Sequence, residues 1–488
     1  MKKINYQKYF ENKNITKQGF GILGRGLGVV KFLLNNGANV LITDNKEESF
    51  FTEQILELKE WMKNKNINED RIKFIFGEHR MQDFISPHYI ISASGVAKNN
   101  IYIRGAKEKH ISVYQESSLF LKIIRDFNQN LEEKNKIKII SITGTRGKTT
   151  TTQLIYKILK DYFELNIKDR NIFLAGNIQG ISTIELLEKV NEKDTIVMEV
   201  DSWLAQGFRD IKFAPNVAVF TNLMHDHMNY YNGDMSEYFL DKAQTFLYQN
   251  EKDLLVGTFE LPKYINEYLN KEDIENYKNS KSRKIFISKE DILNDEKIFE
   301  SKLIGEHNKI NISIAKEVAK ELGVEIESIK NSIKNFSGVS GRLEFVKEEN
   351  RVKYYNDTTA TTGEATIAAI NAFKDDNSKI ILITGGRDKE LEIENYTEKL
   401  ILEKENNKIK KIIFLNDNTT TGTKKVLDLM KEKNFKDYLL AENLKEAIDL
   451  VKELLEDGDI ILFSPGFASF GMFLNEYDRG ERFLELIK

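Results

Sequence analysis

Short apolar runs alternate with stretches of helical spacing from one end of the chain to the other. Runs at 19–23, 39–43 and 89–93 predict strands, with a helix over 29–35 between the first two. A run at 137–142 predicts a buried strand, and Leu154, Ile155, Ile158 and Leu159 then follow at helical spacing. Strand-like runs return at 195–200 and 217–221, and helical patterns at 235–248, 308–322 and 328–336. The last third alternates strands at 352–355, 379–384, 411–415 and 459–463 with helices, notably 366–373 and 444–455. This order predicts an α/β fold of mostly parallel sheets with right-handed crossovers. The polar stretch 128–136 reads as a linker, and Ser337-Gly338-Val339-Ser340-Gly341 as a joint. Three domains are therefore expected, at 1–133, 134–340 and 341–488. The charged segment 251–299 gives no clear pattern.

Composition narrows the chemistry. The net charge of −4 is spread along 488 residues, which argues against a nucleic-acid partner. There is no cysteine, so disulfides, thiolate zinc sites and thiol nucleophiles are excluded. The first ten residues have no apolar leader segment, and no apolar run approaches the roughly 20 residues of a membrane helix. A cytoplasmic monomer with small-molecule substrates and no membrane partner is the expectation.

Thr143-Gly144-Thr145-Arg146-Gly147-Lys148-Thr149-Thr150 lies between the 137–142 strand and a helix. That context makes a phosphate cradle: backbone N–H groups and the helix dipole face the anion, Lys148 adds charge, and the Thr149 hydroxyl suits Mg²⁺. The usual first glycine of such a loop is replaced by Ile142. Near the start, Gly24-Arg25-Gly26-Leu27-Gly28 and Asp44 suggest a second nucleotide-binding βαβ unit. Its third glycine comes one residue early for G-x-G-x-x-G, because position 29 is Val29. Glu199, at a strand end, is a candidate metal ligand. His225-Asp226-His227 follows the next strand and suggests zinc, but the neighbouring acids and phosphate loop favour an oxygen-rich magnesium site with at most one nitrogen ligand. Spacing alone reads Lys242 as a surface lysine.

The order of these motifs, continued by Gly176-Asn177-Ile178, Lys242 and His307-Asn308-Lys309-Ile310-Asn311, resembles the Mur ligase family of ATP-dependent amide-bond ligases. The likeness runs on through Gly341-Arg342-Leu343-Glu344, Asn356-Asp357 with Ala360-Thr361, Gly385-Gly386-Arg387-Asp388-Lys389 and Ser464-Pro465-Gly466-Phe467-Ala468-Ser469-Phe470. It covers nearly the whole chain. Within the family the chain is most similar to the members that add D-glutamate to UDP-N-acetylmuramoyl-L-alanine in peptidoglycan precursor synthesis. Two positions depart from that pattern, both where the amino acid is expected. Thr359 replaces a lysine, and Glu476 replaces a phenylalanine.

The resemblance implies a Rossmann-like N-terminal domain for the UDP substrate, a central P-loop-like ATPase domain and a Rossmann-like C-terminal domain for the amino acid. It implies ATP as co-substrate, an acyl phosphate intermediate, and ADP and phosphate as products. Gly144, Thr145, Gly147, Lys148, Thr149, Thr150, Asn308, Asn311, Arg342 and Asp357 would bind ATP. Gly24, Gly26, Asp44, Asn45, Lys46 and Asn177 would bind the UDP substrate, and Lys389, Ser469 and Phe470 the glutamate. Thr149, Glu199, His227 and Lys242 would surround Mg²⁺, with Lys242 carbamylated by CO₂. Lys148, His227 and Lys242 are the expected catalytic set. An L-glutamate-adding relative, a folylpolyglutamate-type ligase and a P-loop-like binding module are the competing readings.

Overall fold

The computed structural model describes the chain except for residues 1, 22–24, 94, 97–99, 179–181, 229, 375 and 389–391. Three sheets organise it. The first has five parallel strands, Asn14–Gln18 (β1), Asn39–Asp44 (β2), Ile72–Phe76 (β3), Tyr89–Ser92 (β4) and Ser112–Gln115 (β5), in the order β3-β2-β1-β4-β5. The second comprises Lys138–Thr143 (β6), Ile172–Gly176 (β7), Thr195–Glu199 (β8), Val217–Phe220 (β9), Leu254–Thr258 (β10) and Arg283–Ile287 (β11). These lie in the order β11-β10-β9-β6-β8-β7, all parallel. The third is mixed. Glu344–Glu349 (β12) runs antiparallel to Val352–Asn356 (β13), and Ile380–Thr384 (β14), Ile409–Leu415 (β15), Leu439–Ala441 (β16) and Ile460–Phe463 (β17) complete it in the order β12-β13-β17-β14-β15-β16. The expected α/β class holds, with one nucleotide-fold sheet in each third of the chain.

Parallel strands covered on both faces are apolar at both parities, and the third sheet follows that rule. Ile380, Leu382, Ile412, Phe414, Ile460 and Leu462 fill one face, and Ile381, Ile383, Ile413, Leu415, Ile461 and Phe463 the other. The first two sheets share a core: the helix Glu116–Asn128 contributes Phe120, Ile123 and Ile124 to the same cluster as Leu204, Ala205 and Phe208 of the helix Ser202–Ile211. By compactness the chain forms two units, 1–295 with 310–329 and 296–309 with 330–488.

Two sequence expectations change. The first strand is Asn14–Gln18 rather than 19–23. Residues 19–21 belong to a loop in which Gly19 and Gly21 have φ of +77° and +73°. The strand was hidden because it buries polar side chains, Thr16, Lys17 and Gln18. The unreadable segment 251–299 supplies β10 and β11 with three helices, Leu261–Tyr268, Lys271–Asn279 and Lys289–Ile298. Among the described residues no helix is long and apolar enough to cross a membrane.

Candidate active site

β6 delivers the chain into the phosphate loop, and Gly147 caps the helix Lys148–Asn166, with φ of +79°. Gly144, at φ of +139°, has no room for a side chain: a Cβ there would collide with the Thr221 hydroxyl. The segment following β9 clamps the loop. Thr145 N–H donates to Asn222 O at 2.9 Å, Arg146 N–H to Asn222 Oδ1 at 2.8 Å, and Thr221 Oγ1 to Arg146 O at 2.6 Å. Met224 N–H donates to Thr145 Oγ1 at 3.0 Å. Lys148 lies across the loop, donating to Thr145 O at 2.8 Å. Thr149 and Thr150 are half-buried at the helix N-terminus. Asn311, 2% exposed, accepts from Thr151 Oγ1 at 3.1 Å and so reaches the same helix end.

Glu199 is buried at the end of β8, in register with Ile142 two residues before the loop begins. Asn177 stands beside it, its N–H donating to Glu199 O at 2.9 Å. Lys242 is not a surface lysine. It is 1% exposed, its ammonium donates to Gly144 O at 2.9 Å, and it lies 4.5 Å from the Tyr238 ring centre. Burial first, and the Lys148 charge second, lower its pKa to about 7. A buried amine that loses its proton this readily is nucleophilic near neutral pH. Its sequence neighbour Asp241 accepts from Gln206 Nε2 at 2.6 Å and Tyr231 OH at 2.9 Å, which ties this helix to Ser202–Ile211. His225 and His227 are exposed, and His227 has a left-handed backbone, φ +56°. The His227 ring lies 6.1 Å from that of Trp203 and 6.4 Å from that of Tyr238. The structure thus gathers Gly144, Thr145, Gly147, Lys148, Asn311 and Lys242 at one loop, with Glu199 and Asn177 at the adjoining strand ends.

The donors fit a hard cation better than zinc. A threonine hydroxyl and a buried carboxylate are oxygen ligands, and among the described residues no three His, Asp or Glu side chains converge as a metal site. Few protein ligands, supplemented by phosphate oxygens and water, is the pattern Mg²⁺ tolerates.

In the first sheet, Asp44 Oδ2 accepts from Phe20 N–H at 2.9 Å and Oδ1 from Lys46 N–H at 3.1 Å. Asn45 and Lys46 are exposed. Gly24 lies outside the described residues. Gly26 is within the helix Arg25–Asn35, and a Cβ there would collide with the Phe20 carbonyl, so it is required for close approach of helix and loop. The sequence reading placed the glycine motif too late. Gly19-Phe20-Gly21-Ile22-Leu23-Gly24 fits G-x-G-x-x-G and follows the true first strand. Lys17 buries its ammonium against the start of this loop. It is 4% exposed, donates to Gly19 O at 2.6 Å, and burial lowers its pKa to about 8.

The second compact unit holds the remaining candidates. Asn308 is buried, its amide donating to Ile304 O at 2.8 Å, and Arg342 is exposed. Asp357 accepts from Ser464 Oγ at 2.7 Å and Leu343 N–H at 2.9 Å. Burial outweighs these bonds and raises its pKa to about 7. Thr359 is engaged, its hydroxyl donating to Gly341 O at 2.8 Å. Ser469 is buried and Phe470 is 54% exposed beside it, whereas Lys389 lies outside the described residues. Arg479 is fully buried, and among the described residues no carboxylate is in hydrogen-bond contact with it. Its Nε donates to Thr358 Oγ1, Nη2 to Thr358 O and Nη1 to Phe467 O, at 3.2, 2.6 and 3.0 Å.

Comparison with known proteins agrees with this geometry. Residues 142–319 match the Mur ligase middle domain, and residues 341–467 the Mur ligase glutamate ligase domain. The UDP-N-acetylmuramoylalanine–D-glutamate ligase of Borreliella afzelii is 31% identical over 486 residues, covering 98% of both chains. The ligase of the same name from Clostridium tetani is 31% identical over 497 residues, covering 99% of this chain and 98% of its own. Among solved structures, MurF ligase from Thermotoga maritima in complex with ADP aligns with a TM-score of 0.55 at 16% identity, covering 99% of this chain and 96% of its own. UDP-N-acetylmuramate-alanine ligase MurC from Thermotoga maritima aligns with a TM-score of 0.54 at 18% identity, covering 97% and 99%. A clamped phosphate loop in a parallel sheet, family models over more than half the sequence and relatives matched from end to end lead to one conclusion: the chain belongs to the Mur ligase family.

Proposed function

We propose that this chain is the ligase that joins D-glutamate to UDP-N-acetylmuramoyl-L-alanine at the expense of ATP, in the cytoplasmic assembly of peptidoglycan precursors. The observation that carries the reading is Lys242, a buried amine bonded to the phosphate loop at Gly144 O and depressed toward neutrality beside Lys148. A plain nucleotide switch has no use for it. The end-to-end likeness to relatives of that name supports the choice of substrates.

In this reading Gly144, Thr145, Gly147, Thr149 and Thr150 present the loop to the β- and γ-phosphates, and Lys148 neutralises charge that grows as the γ-phosphoryl is transferred. The L-alanine carboxylate becomes an acyl phosphate, the glutamate amine attacks it, and phosphate leaves. Mg²⁺, when bound, neutralises phosphate oxygens. Thr149 and Glu199 would hold one ion and His227 a second. In its neutral form the Lys242 amine would add CO₂ and release a proton to solvent, giving a carbamate that would place an oxygen anion where the protonated side chain would place a cation. Asn308, Asn311, Arg342 and Asp357 serve the adenosine. Gly26, Asp44, Asn45, Lys46 and Asn177 serve the UDP substrate, together with Gly24. Lys389, Ser469 and Phe470 serve the amino acid. The working divisions are 1–133, 134–340 and 341–488, and the enzyme acts as a monomer.

The test is phosphate release from ATP with UDP-N-acetylmuramoyl-L-alanine and D- or L-glutamate in parallel. Release dependent on both the UDP substrate and D-glutamate is expected. Equal or faster release with L-glutamate overturns the D assignment, and release without any UDP substrate overturns the ligase reading.

A further inference from the structure

We infer that Lys17 is a positioning residue for the UDP substrate: its buried ammonium holds the start of the glycine loop and gives that loop a positive charge for the diphosphate. The inference rests on the ligase reading above and adds to it a residue that lies outside the glycine motif.

β1 is the middle strand of the first sheet, with β2 on one side and β4 on the other. The chain order reverses there, and open parallel sheets bind ligands at the carboxyl ends of the strands at such a point. Lys17 is the penultimate residue of β1. Side chains alternate along a strand, so it shares a side with Ile15, which belongs to the apolar core. An ammonium buried among such residues loses its hydration, and burying it without an acid in contact is costly. Among the described residues Lys17 has no ion-pair partner. Its ammonium donates instead to two carbonyls, Gly19 O at 2.6 Å and Gln18 O at 3.2 Å.

Those bonds show where the charge acts. Carbonyl oxygens at a strand end present partial negative charge to an approaching anion, and Lys17 engages the two that open the loop. Other contacts fix the same loop: Gly19 N–H donates to Thr43 O at 2.8 Å, Phe20 N–H to Asp44 Oδ2 at 2.9 Å and Gln54 Nε2 to Gly21 O at 3.0 Å. Two charges act on Lys17 from the elements around it, Glu116 at the start of the helix Glu116–Asn128 and Asp44 at the end of β2. Both favour the ammonium, and burial outweighs them, leaving a pKa of about 8. Both acids have donors of their own. Glu116 Oε1 accepts from Ser182 Oγ and Ile184 N–H, each at 3.0 Å, and Asp44 from the N–H groups of Phe20 and Lys46. A diphosphate on the loop supplies the anion that the fold does not place against Lys17.

Binding and protonation then favour each other, because an anion stabilises the ammonium and the ammonium the anion. Affinity for the UDP substrate should fall as pH rises past about 8, and binding near that pH should take up a proton. The diphosphate of a UDP sugar keeps its charge across this range, so the change belongs to the protein.

The experiment is calorimetric binding of UDP-N-acetylmuramoyl-L-alanine to the full-length enzyme at pH 7 and 8.8, in buffers of different ionisation heat. The wild-type Kd should rise about fourfold between the two, with proton uptake at the higher pH. Lys17→Met should weaken binding about tenfold at pH 7, remove the pH dependence and the proton uptake, and leave the KM for ATP unchanged. Its melting temperature at pH 7 should equal or exceed that of wild type, since an apolar group replaces a buried cation. Lys17→Arg, whose charge does not titrate in this range, should bind like wild type at pH 7 and equally well at pH 8.8. A level wild-type Kd without proton uptake overturns the inference, as does wild-type affinity in Lys17→Met at pH 7. Weakened binding in Lys17→Met with the wild-type pH dependence retained also overturns it and assigns Lys17 to the fold. Wild-type enzyme that binds no UDP-N-acetylmuramoyl-L-alanine sinks the ligase reading and this inference together. Wild-type enzyme that binds it as expected, yet releases no phosphate from ATP with either glutamate isomer, sinks the ligase reading and leaves the role of Lys17 standing.

Discussion

Burying a lysine in the fold and leaving its ammonium one carbonyl to bond favours the neutral amine, and Lys242 is in that position. Its folded pKa of about 7 lies below the value of ~10.4 for an exposed lysine. Between those limits the unfolded chain binds the extra proton, so this residue makes stability rise with pH; below about 7 the full penalty applies. Lys242→Met should therefore stabilise the fold at pH 7, by ~2 kcal/mol after the lost bond to Gly144 O is counted, and the gain should shrink toward pH 10. Denaturant melts at pH 7 and 9.5 measure this, and a pH-independent gain would mean that no burial penalty exists. Activity makes a separate demand on the same residue. Lys242→Ala should be nearly inactive and partly restored by acetate if a carbamate occupies the position, whereas an active Lys242→Ala enzyme would remove Lys242 from the chemistry. Lys148→Ala should retain less than about a tenth of wild-type turnover, since it loses the charge that balances the transferring phosphoryl group. Steady-state phosphate release decides that case.

At the scale of elements, loops are held by specific backbone contacts more than by their own composition. The helix Arg25–Asn35 approaches the glycine loop so closely that Gly26 faces the Phe20 carbonyl, whose own N–H is anchored by Asp44. Gly26→Ala should displace helix from loop at a cost of ~2 kcal/mol, in the range of core overpacking. The expected readout is a lowered melting temperature with a raised KM for the UDP substrate and an unchanged KM for ATP; a fully stable Gly26→Ala enzyme would show that the loop yields freely. The motif was legible in the sequence, but its register was not. Gly24 to Gly28 looked like the turn because residues 19–23 looked like the strand, and apolarity is a poor guide where the real strand buries Thr16, Lys17 and Gln18. Likewise, β11 carries Arg283 and Lys284 at the sheet edge, so neither strong apolarity nor alternation announced it.

Over the whole molecule, the first two sheets behave as one body. Phe120 and Ile124 pack into the same core as Leu204 and Phe208, and polar ties reinforce that contact. Gln115 Nε2 donates to Trp203 O at 2.7 Å, Arg125 Nη1 to Ile211 O at 2.7 Å, and Ser182 Oγ to Glu116 Oε1 at 3.0 Å. Even the polar stretch after residue 127 is pinned by a reciprocal pair, Asn128 Nδ2 to Ile137 O and Ile137 N–H to Asn128 Oδ1, each 2.9 Å. Residues 1–133 expressed alone should therefore expose the apolar face of the helix Glu116–Asn128 and fold poorly, aggregating or binding a hydrophobic dye. A soluble, cooperatively melting 1–133 fragment would show that the shared core is dispensable.

The sequence by itself determined the fold class, the order of most strands and the chemistry of the phosphate loop. Those features are local: an apolar run, a glycine turn and a helix start lie within a few residues of each other at β6 and Lys148. It also carried the family resemblance, whose motifs keep their order along the chain. Tertiary structure alone decided the rest. Whether Lys242 lies in solvent or against Gly144 depends on a contact spanning 98 residues, and no spacing rule reaches that far. The pairing of Asp357 with Ser464, the burial of Arg479 over Thr358 and the meeting of Arg387 with Ala468 are of the same kind. Each joins segments that are distant in sequence, and burial and hydrogen bonding are fixed only when the sheets close and exclude water.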